Sequence, residues 1–236
     1  MIAVNIGNTH VRWICYAGDR PLQSGRLTQA EALAGCPSLP PGRIALVSVV
    51  PQLAATWVAA WEAQGRDLFV LHGGLSLGLT IAYDPPQSLG ADRLANAVAL
   101  RHHFGAGIVI DAGTAATLTV VDAAGGLLGG AILPGLQTAR DALASRTAQL
   151  PRVELAAPVR LIGASTEAAI QAGIVAGHVG ALRHLVRGMQ AEAPSARALV
   201  LTGGGAALLA PLMPEARWEP DWTLEGARLA LLNAGS

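Results

Sequence analysis

The chain carries a polar residue followed two positions later by glycine at two corresponding places. IAVNIGNT (2–9) stands near the N-terminus, and IVIDAGTAAT (108–117) repeats its pattern, with Asn5 aligned to Asp111. In each copy an apolar run predicts a buried strand, and the glycine predicts a tight turn whose N–H groups can point at an anion. An acidic residue beside bound phosphates could hold a cation or its water shell. One such hairpin would be ordinary, but two copies favour phosphate binding.

The elements around these turns predict a mixed α/β fold. Alternating apolar residues after Gly7 predict a second strand, and residues 90–105 predict a helix with Asp92 in its first turn. Residues 17–42 are predicted to be turn-rich with one short helix at 29–34, and 166–191 to form one long amphipathic helix. Each half therefore begins with a glycine-turn β meander, which predicts two domains, 1–105 and 106–236.

Composition narrows the function classes. The 236 residues are 52% apolar and 14% charged, against a usual charged share of about 25%, so a large core is expected. The net charge of zero gives no support to nucleic-acid or anionic-membrane binding. No signal peptide or membrane span is predicted, so a cytoplasmic location is expected. All 16 basic residues are Arg, which excludes the Walker A loop and the protein-kinase strand lysine.

The repeated hairpins resemble those of the acetate and sugar kinase, heat-shock ATPase and actin superfamily. That resemblance implies an α/β fold of duplicated ribonuclease-H-like (actin-like ATPase) domains with a nucleotide cleft between them. Further segments sharpen it to the type III pantothenate kinases, over nearly the whole chain and least between residues 17 and 75. These segments are Tyr83, GADR (90–93), DAGT (111–114), LGGAILPGL (128–136), SRTAQLPRVE (145–154), STE (165–167) and TGG (202–204).

The family resemblance implies an ATP-dependent kinase that phosphorylates pantothenate to 4'-phosphopantothenate, the first step of coenzyme A biosynthesis. Asp92 would be the base that accepts the proton of the substrate hydroxyl, although a carboxylate in a first helical turn is also a common capping group. Arg93 would bind the pantothenate carboxylate or a phosphate through its two-pronged guanidinium. The implied substrate-binding residues are Tyr83, Gly90, Ala91, Asp92, Arg93 and Thr166.

The resemblance also assigns the nucleotide and the ions. The first hairpin would bind ATP, as would Thr114, with Gly203 and Gly204 near the adenosine. Asp111 matches a ligand of a monovalent cation, K⁺ or NH₄⁺, which could supply the positive charge that a lysine would otherwise provide. Mg²⁺ would accompany the phosphates, and a homodimer is implied. The hairpin residues assigned to ATP are Asn5, Ile6, Gly7, Asn8, Thr9, His10, Val11 and Arg12.

Asn5 departs from the family pattern, which usually has Asp at the start of D-x-G-N-T. Asn keeps the shape and one carbonyl oxygen but loses the charge that a hydrated Mg²⁺ prefers. Three alternatives follow: an active enzyme that holds its metal through water and phosphates, a slow enzyme, or a catalytically impaired homologue that acts as a ligand-binding regulatory or accessory protein. A kinase of the same superfamily with another hydroxyl substrate is a further alternative.

Overall fold

The computed structural model describes residues 1–75 and 77–234 and contains α-helices and β-strands in mixed order. The strands are β1 (Ile2–Ile6), β2 (His10–Ala17), β3 (Arg20–Thr28), β4 (Ile44–Ser48), β5 (Leu68–Val70), β6 (Thr80–Ile81), β7 (Gly107–Ala112), β8 (Ala115–Val121), β9 (Gly126–Pro134), β10 (Ala198–Thr202) and β11 (Arg217–Trp218). The α-helices are α1 (Gln29–Ala34), α2 (Pro51–Ala63), α3 (Ala91–Phe104), α4 (Leu136–Arg146), α5 (Thr166–Gln171), α6 (Gly177–Glu192), α7 (Ala206–Leu209) and α8 (Trp222–Asn233).

The chain divides into two compact units. Unit 1 comprises residues 1–105, 125–127 and the chain from Asp221 onward, and unit 2 comprises 106–124 and 128–220. Unit 1 thus includes α8, which the sequence-based division after residue 105 leaves in the second half. The reason is packing, since α8 lies against α3, β1 and β4.

Unit 1 is built on a five-stranded sheet in the order β3-β2-β1-β4-β5. β1 pairs antiparallel with β2 and parallel with β4, which places both neighbours beside its polar end at Asn5. Trp57 and Trp61 of α2 are both buried and meet edge to face at 5.4 Å between ring centroids. Within the same unit, β6 pairs in parallel with the first two residues of β9.

Helices α3 and α8 pack closely through a buried polar contact. The Asn96 side-chain oxygen accepts a hydrogen bond from the Thr223 hydroxyl at 2.9 Å, and its backbone carbonyl accepts one from the Trp222 indole at 3.2 Å. A Cβ at Gly226 would lie 1.9 Å from the Ala95 carbonyl oxygen, so only glycine allows the two backbones to approach this closely. This contact fixes α3, whose first turn carries Asp92.

Unit 2 repeats the strand order of unit 1. Its sheet runs β9-β8-β7-β10-β11, with β7 antiparallel to β8 and parallel to β10, so β7 and β10 correspond to β1 and β4. Ile108, Ile110 and Leu118 in this sheet have no exposed surface and lie in the unit 2 core. The repeated order agrees with the repeated sequence pattern.

Two predictions about elements were incomplete. Residues 17–42 contain the predicted helix at 29–34, but also strand β3, whose residues are almost all exposed and therefore lack an apolar alternation. The helix predicted over 166–191 is interrupted between α5 and α6 by a π-helical segment, Ala172–Ala176. Within the described residues, no helix has the length and apolar character needed to cross a membrane.

Candidate functional site

The first predicted nucleotide turn connects β1 to β2. Asn5 lies opposite Arg12 and Ile6 opposite Val11, and the Gly7 amide donates to the His10 carbonyl at 3.0 Å. A Cβ at Gly7 would come within 3.1 Å of that carbonyl, so glycine keeps the turn tight. The predicted residues Asn8 and Thr9 are exposed, so a ligand can reach this turn.

Two residues that sequence reasoning did not single out support this turn. The Gln29 side-chain amide donates to the Gly7 carbonyl at 2.6 Å. The Arg12 guanidinium forms an ion pair with Asp221, just before α8. No local sequence signal marks these contacts, because their partners are not neighbours in the sequence. Asp221 is more than two hundred residues from Arg12. Arg12 lies opposite Asn5 in the β1–β2 pair. Its charge is paired with the carboxylate of Asp221, which comes from a distant part of the sequence within unit 1.

Asp92 occupies the first turn of α3, where the helix dipole favours a carboxylate. Its Oδ1 accepts a hydrogen bond from the Arg93 amide at 2.8 Å. Burial raises the pKa of the Asp92 carboxyl above its ordinary value, opposed by that hydrogen bond and by the Arg93 charge. A carboxylate with a raised pKa and partial exposure is suited to accept a proton.

Gly90 leaves the space that the Asp92 carboxylate occupies. A Cβ at position 90 would lie 2.5 Å from Asp92 Oδ1, so a larger residue would displace the carboxylate. This gives a physical reason for glycine two residues before the aspartate in the G-A-D segment. Gly90, a predicted substrate-binding residue, leaves room for the carboxylate of the predicted base, Asp92. Ala91, between them, is buried at the start of α3.

Tyr83 and Arg93, both predicted substrate-binding residues, lie in contact. The Arg93 guanidinium donates to the Tyr83 hydroxyl at 3.3 Å and lies 5.1 Å from the centre of the Tyr83 ring. Arg93 is 4% exposed, so its charge is held in a largely desolvated place. The Tyr83 hydroxyl therefore lies against a largely buried positive charge, one residue along the chain from Asp92.

The second predicted turn connects β7 to β8 in unit 2 and is one residue shorter. Ala112 lies opposite Ala116, so three residues form the turn, whereas four separate Ile6 and Val11 in the first copy. The Gly113 amide donates to the Ala115 carbonyl at 3.1 Å. The Thr114 carbonyl accepts hydrogen bonds from the Gly135 amide at 3.0 Å and from the Thr138 hydroxyl at 2.6 Å, which hold the turn in place.

The predicted cation ligand Asp111 lies against the glycine turn that follows β10. Thr202 is paired with Asp111, and a Cβ at Gly203 would lie 2.4 Å from Asp111 Oδ1. Gly203 has φ +91°, a conformation that favours glycine, and the Gly205 amide donates to the Ala112 carbonyl at 2.7 Å. The sequence analysis did not predict the contact between Asp111 and the glycine turn after β10. The close approach of Asp111 Oδ1 therefore requires glycine at position 203.

Thr166 is exposed at the first turn of α5, and its neighbour Ser165 caps that helix. The Ser165 hydroxyl accepts a hydrogen bond from the Ala168 amide at 3.2 Å, so the helix does not need the Thr166 hydroxyl as its cap. Among the residues that the structure describes, no group of three or more His, Cys, Asp or Glu side chains is arranged to hold a metal ion.

Solved structures of other proteins share this two-sheet α/β fold over nearly the whole chain. A Baf family transcriptional activator from Campylobacter jejuni has a TM-score of 0.67 at 19% identity, covering 100% of this chain and 99% of that one. A 2-dehydro-3-deoxygalactonokinase protein from Sinorhizobium meliloti has a TM-score of 0.55 at 16% identity, covering 99% and 97%. At these identities the likeness concerns the fold, which confirms the α/β class predicted from sequence.

Sequence comparison identifies the family. The family model for type III pantothenate kinase matches residues 1–188. The type III pantothenate kinase of Rubrobacter xylanophilus is 38% identical over 99% of this chain and 98% of its own length. That of Moorella thermoacetica is 36% identical, with 97% of both chains covered. This chain belongs to the type III pantothenate kinase family, as its motifs predicted.

Proposed function

We propose that this chain is an ATP-dependent pantothenate kinase that forms 4'-phosphopantothenate in the first step of coenzyme A biosynthesis. One structural observation carries the proposal within unit 1: the partly buried carboxyl of Asp92, with its raised pKa, adjoins the buried Arg93–Tyr83 pair. A proton acceptor beside a fixed positive charge suits a substrate that has a hydroxyl to be phosphorylated and a carboxylate to be held.

In the proposed reaction, Asp92 accepts the proton of the pantothenate hydroxyl as its oxygen attacks the γ-phosphorus of ATP, and ADP leaves. Arg93 and Tyr83 hold the pantothenate carboxylate, with Thr166 as a further substrate-binding residue. Gly90 keeps Asp92 in position. Because phosphoryl transfer depends mainly on positioning and charge stabilisation, the base is one contribution among several.

The ATP-binding residues that we propose belong to each of the two hairpin turns. In the first, the proposed contacts are residues 5–12, among which Asn8 and Thr9 are exposed. In the second, Thr114 contributes, and Gly203 and Gly204 lie near the adenosine. A Cβ at Gly204 would meet nothing within 4 Å, which leaves room for a flat ring to approach the backbone.

Two cations are proposed to accompany ATP. Asp111 would hold K⁺ or NH₄⁺, which supplies positive charge near the phosphates in a chain without lysine. Asn5 would contribute an amide oxygen towards Mg²⁺ or its water shell, a weaker ligand than the usual aspartate. The enzyme is further proposed to be cytoplasmic and homodimeric.

A catalytically impaired homologue that binds ligand as a regulatory or accessory protein is the second candidate. Asn5 is the observation that favours it, because the neutral amide weakens the organisation of Mg²⁺ relative to a carboxylate. The two candidates share the same ligands and differ in turnover alone.

A coupled ADP-release assay with pantothenate, ATP and Mg²⁺ tests the proposal. We expect turnover that depends on pantothenate, is faster in K⁺ than in Na⁺ at equal ionic strength, and is lost in Asp92→Asn. ADP release that is absent, or that continues unchanged without pantothenate, would favour the second candidate. ATP binding measured by calorimetry on the same sample separates an inactive binder from a misfolded protein.

A further inference from the structure

The sheet of unit 1 carries a row of polar side chains beside the first predicted nucleotide turn. Asn5 lies opposite Arg12 in the β1–β2 pair, and Arg12 lies opposite Arg26 in the β2–β3 pair. Directly opposed residues of antiparallel strands project from the same face of a sheet. Asn5, Arg12 and Arg26 therefore share one face on three adjacent strands. The sequence analysis did not single out Arg26.

This row carries more positive than negative charge. Arg12 and Arg26 are like charges directly opposite each other, an arrangement that is unfavourable in a strand pair. Asp221 supplies one carboxylate, which pairs with Arg12, whereas Asn5 supplies no charge. Among the residues that the structure describes, no carboxylate pairs with Arg26. An anion bound at this face would offset the remaining positive charge.

His10 holds the Arg26 guanidinium close to the turn. An Arg26 nitrogen lies 2.9 Å from His10 Nε2, and because a guanidinium can only donate, that ring nitrogen accepts and the imidazole is neutral. Burial and the Arg26 charge both lower the pKa of the His10 imidazole, which favours this neutral form. His10 begins β2, and its carbonyl accepts the hydrogen bond of the Gly7 amide. The charge of Arg26 is thus held beside the turn rather than directed away from it.

We propose that Arg26 is a further phosphate-binding residue of the first turn, and that its guanidinium donates to the triphosphate of ATP beside Arg12. Arg26 is exposed, as are Asn8 and Thr9 in the turn, so a ligand can reach all three. A guanidinium offers two parallel N–H donors, which match two oxygens of one phosphate. The inference rests on the proposed function, since it takes ATP as the ligand, and it adds a residue outside the proposed set 5–12.

The test is a titration of the full-length protein with ATP in EDTA, followed by the backbone NMR signals of Asn8 and Thr9. Pantothenate is left out, so no turnover occurs, and the phosphates keep their full charge without Mg²⁺. We expect saturable shifts in the wild type and about tenfold weaker binding in Arg26→Gln, the value of one charge-assisted hydrogen bond. Arg26→Lys restores the charge without the two-pronged donor and should bind ATP more tightly than Arg26→Gln.

Arg20→Gln is the matched control, because Arg20 is exposed on the same strand but at its other end, opposite Ala17. It makes the same change in charge and should bind ATP as the wild type does. Unchanged affinity in Arg26→Gln, equal weakening in Arg20→Gln, or an Arg26→Lys protein that binds no better than Arg26→Gln would each overturn the inference.

The same titration separates this inference from the proposed function. Absence of shifts in the wild type would overturn the inference, and a repeat with Mg²⁺ shows whether ATP binding as such also fails, which would contradict the proposed function. Weaker binding in Arg26→Gln together with no pantothenate-dependent ADP release would support the inference and contradict the kinase proposal alone.

Discussion

At the scale of single residues, Asp92 shows a conflict between chemistry and stability. Its pKa is raised in the folded state, mainly by burial. A carboxyl with a raised folded pKa contributes stability that is fully present below its unfolded pKa and is lost as the pH rises through the folded pKa. Ionisation of Asp92 therefore lowers the free energy of unfolding. Such a cost is common where activity requires a charged group in a poorly solvated place.

Replacing Asp92 by Asn tests this conflict. The amide oxygen can still accept the Arg93 amide hydrogen bond, so the fold is kept while the proton acceptor is removed. We expect a higher Tm than wild type at pH 7, a smaller difference at acidic pH, and ADP release at least about 100-fold slower. Asp67→Asn, at an exposed carboxylate paired with Arg43, is the control and should retain turnover. A less stable Asp92→Asn protein with normal turnover would contradict both roles.

Asn5→Asp restores the charge that the family usually carries. The new carboxylate would lie opposite Arg12 and compete with Asp221 for its guanidinium. If Mg²⁺ organisation limits the reaction, turnover should rise several-fold and half-maximal activity should need less Mg²⁺. A Mg²⁺ titration of ADP release in both proteins measures this, and identical curves would show that position 5 does not limit the rate.

At the scale of elements, the sequence predicted the strands and helices whose apolar residues repeat with a clear period. The Ala91–Phe104 helix and both glycine hairpins belong to this group. Strand β3 was not predicted because it is an exposed edge strand. It has no buried face that would give its sequence an alternating pattern. The sequence analysis did not predict the contacts of Arg12 with Asp221 and of Asp111 with Gly203 for another reason. Both contacts join segments that are far apart in the sequence, and a single sequence contains no signal for such pairs.

Close packing of α3 on α8 predicts a strong effect at Gly226. A methyl group there would meet the Ala95 carbonyl, so Gly226→Ala should reduce the free energy of unfolding by about 1–3 kcal/mol. Gly188→Ala in α6 is the matched control, because its Cβ would meet open space and alanine should stabilise that helix by about 0.5–1 kcal/mol. Urea unfolding measures both. Equal stability of the two variants would mean that α3 and α8 can separate at little cost.

At the scale of the whole molecule, the proposed homodimer predicts a solution mass of twice the 24.1 kDa of one chain. Light scattering after size-exclusion chromatography, repeated over a range of concentrations, measures it. The proposal requires that the doubled mass persists at the concentrations of the ADP-release assay. A mass of one chain at those concentrations, together with normal turnover, would show that catalysis needs no partner.

The two sheets share one strand order, yet their hairpins differ in length and in the residue at the strand end. In an assembly of two identical small subunits, every mutation would alter both bends at once. Joining the repeats in a single polypeptide removes that constraint, so natural selection can act on each bend separately. Asn5 and Asp111, at corresponding places in the two sheets, are a difference that the fused arrangement permits.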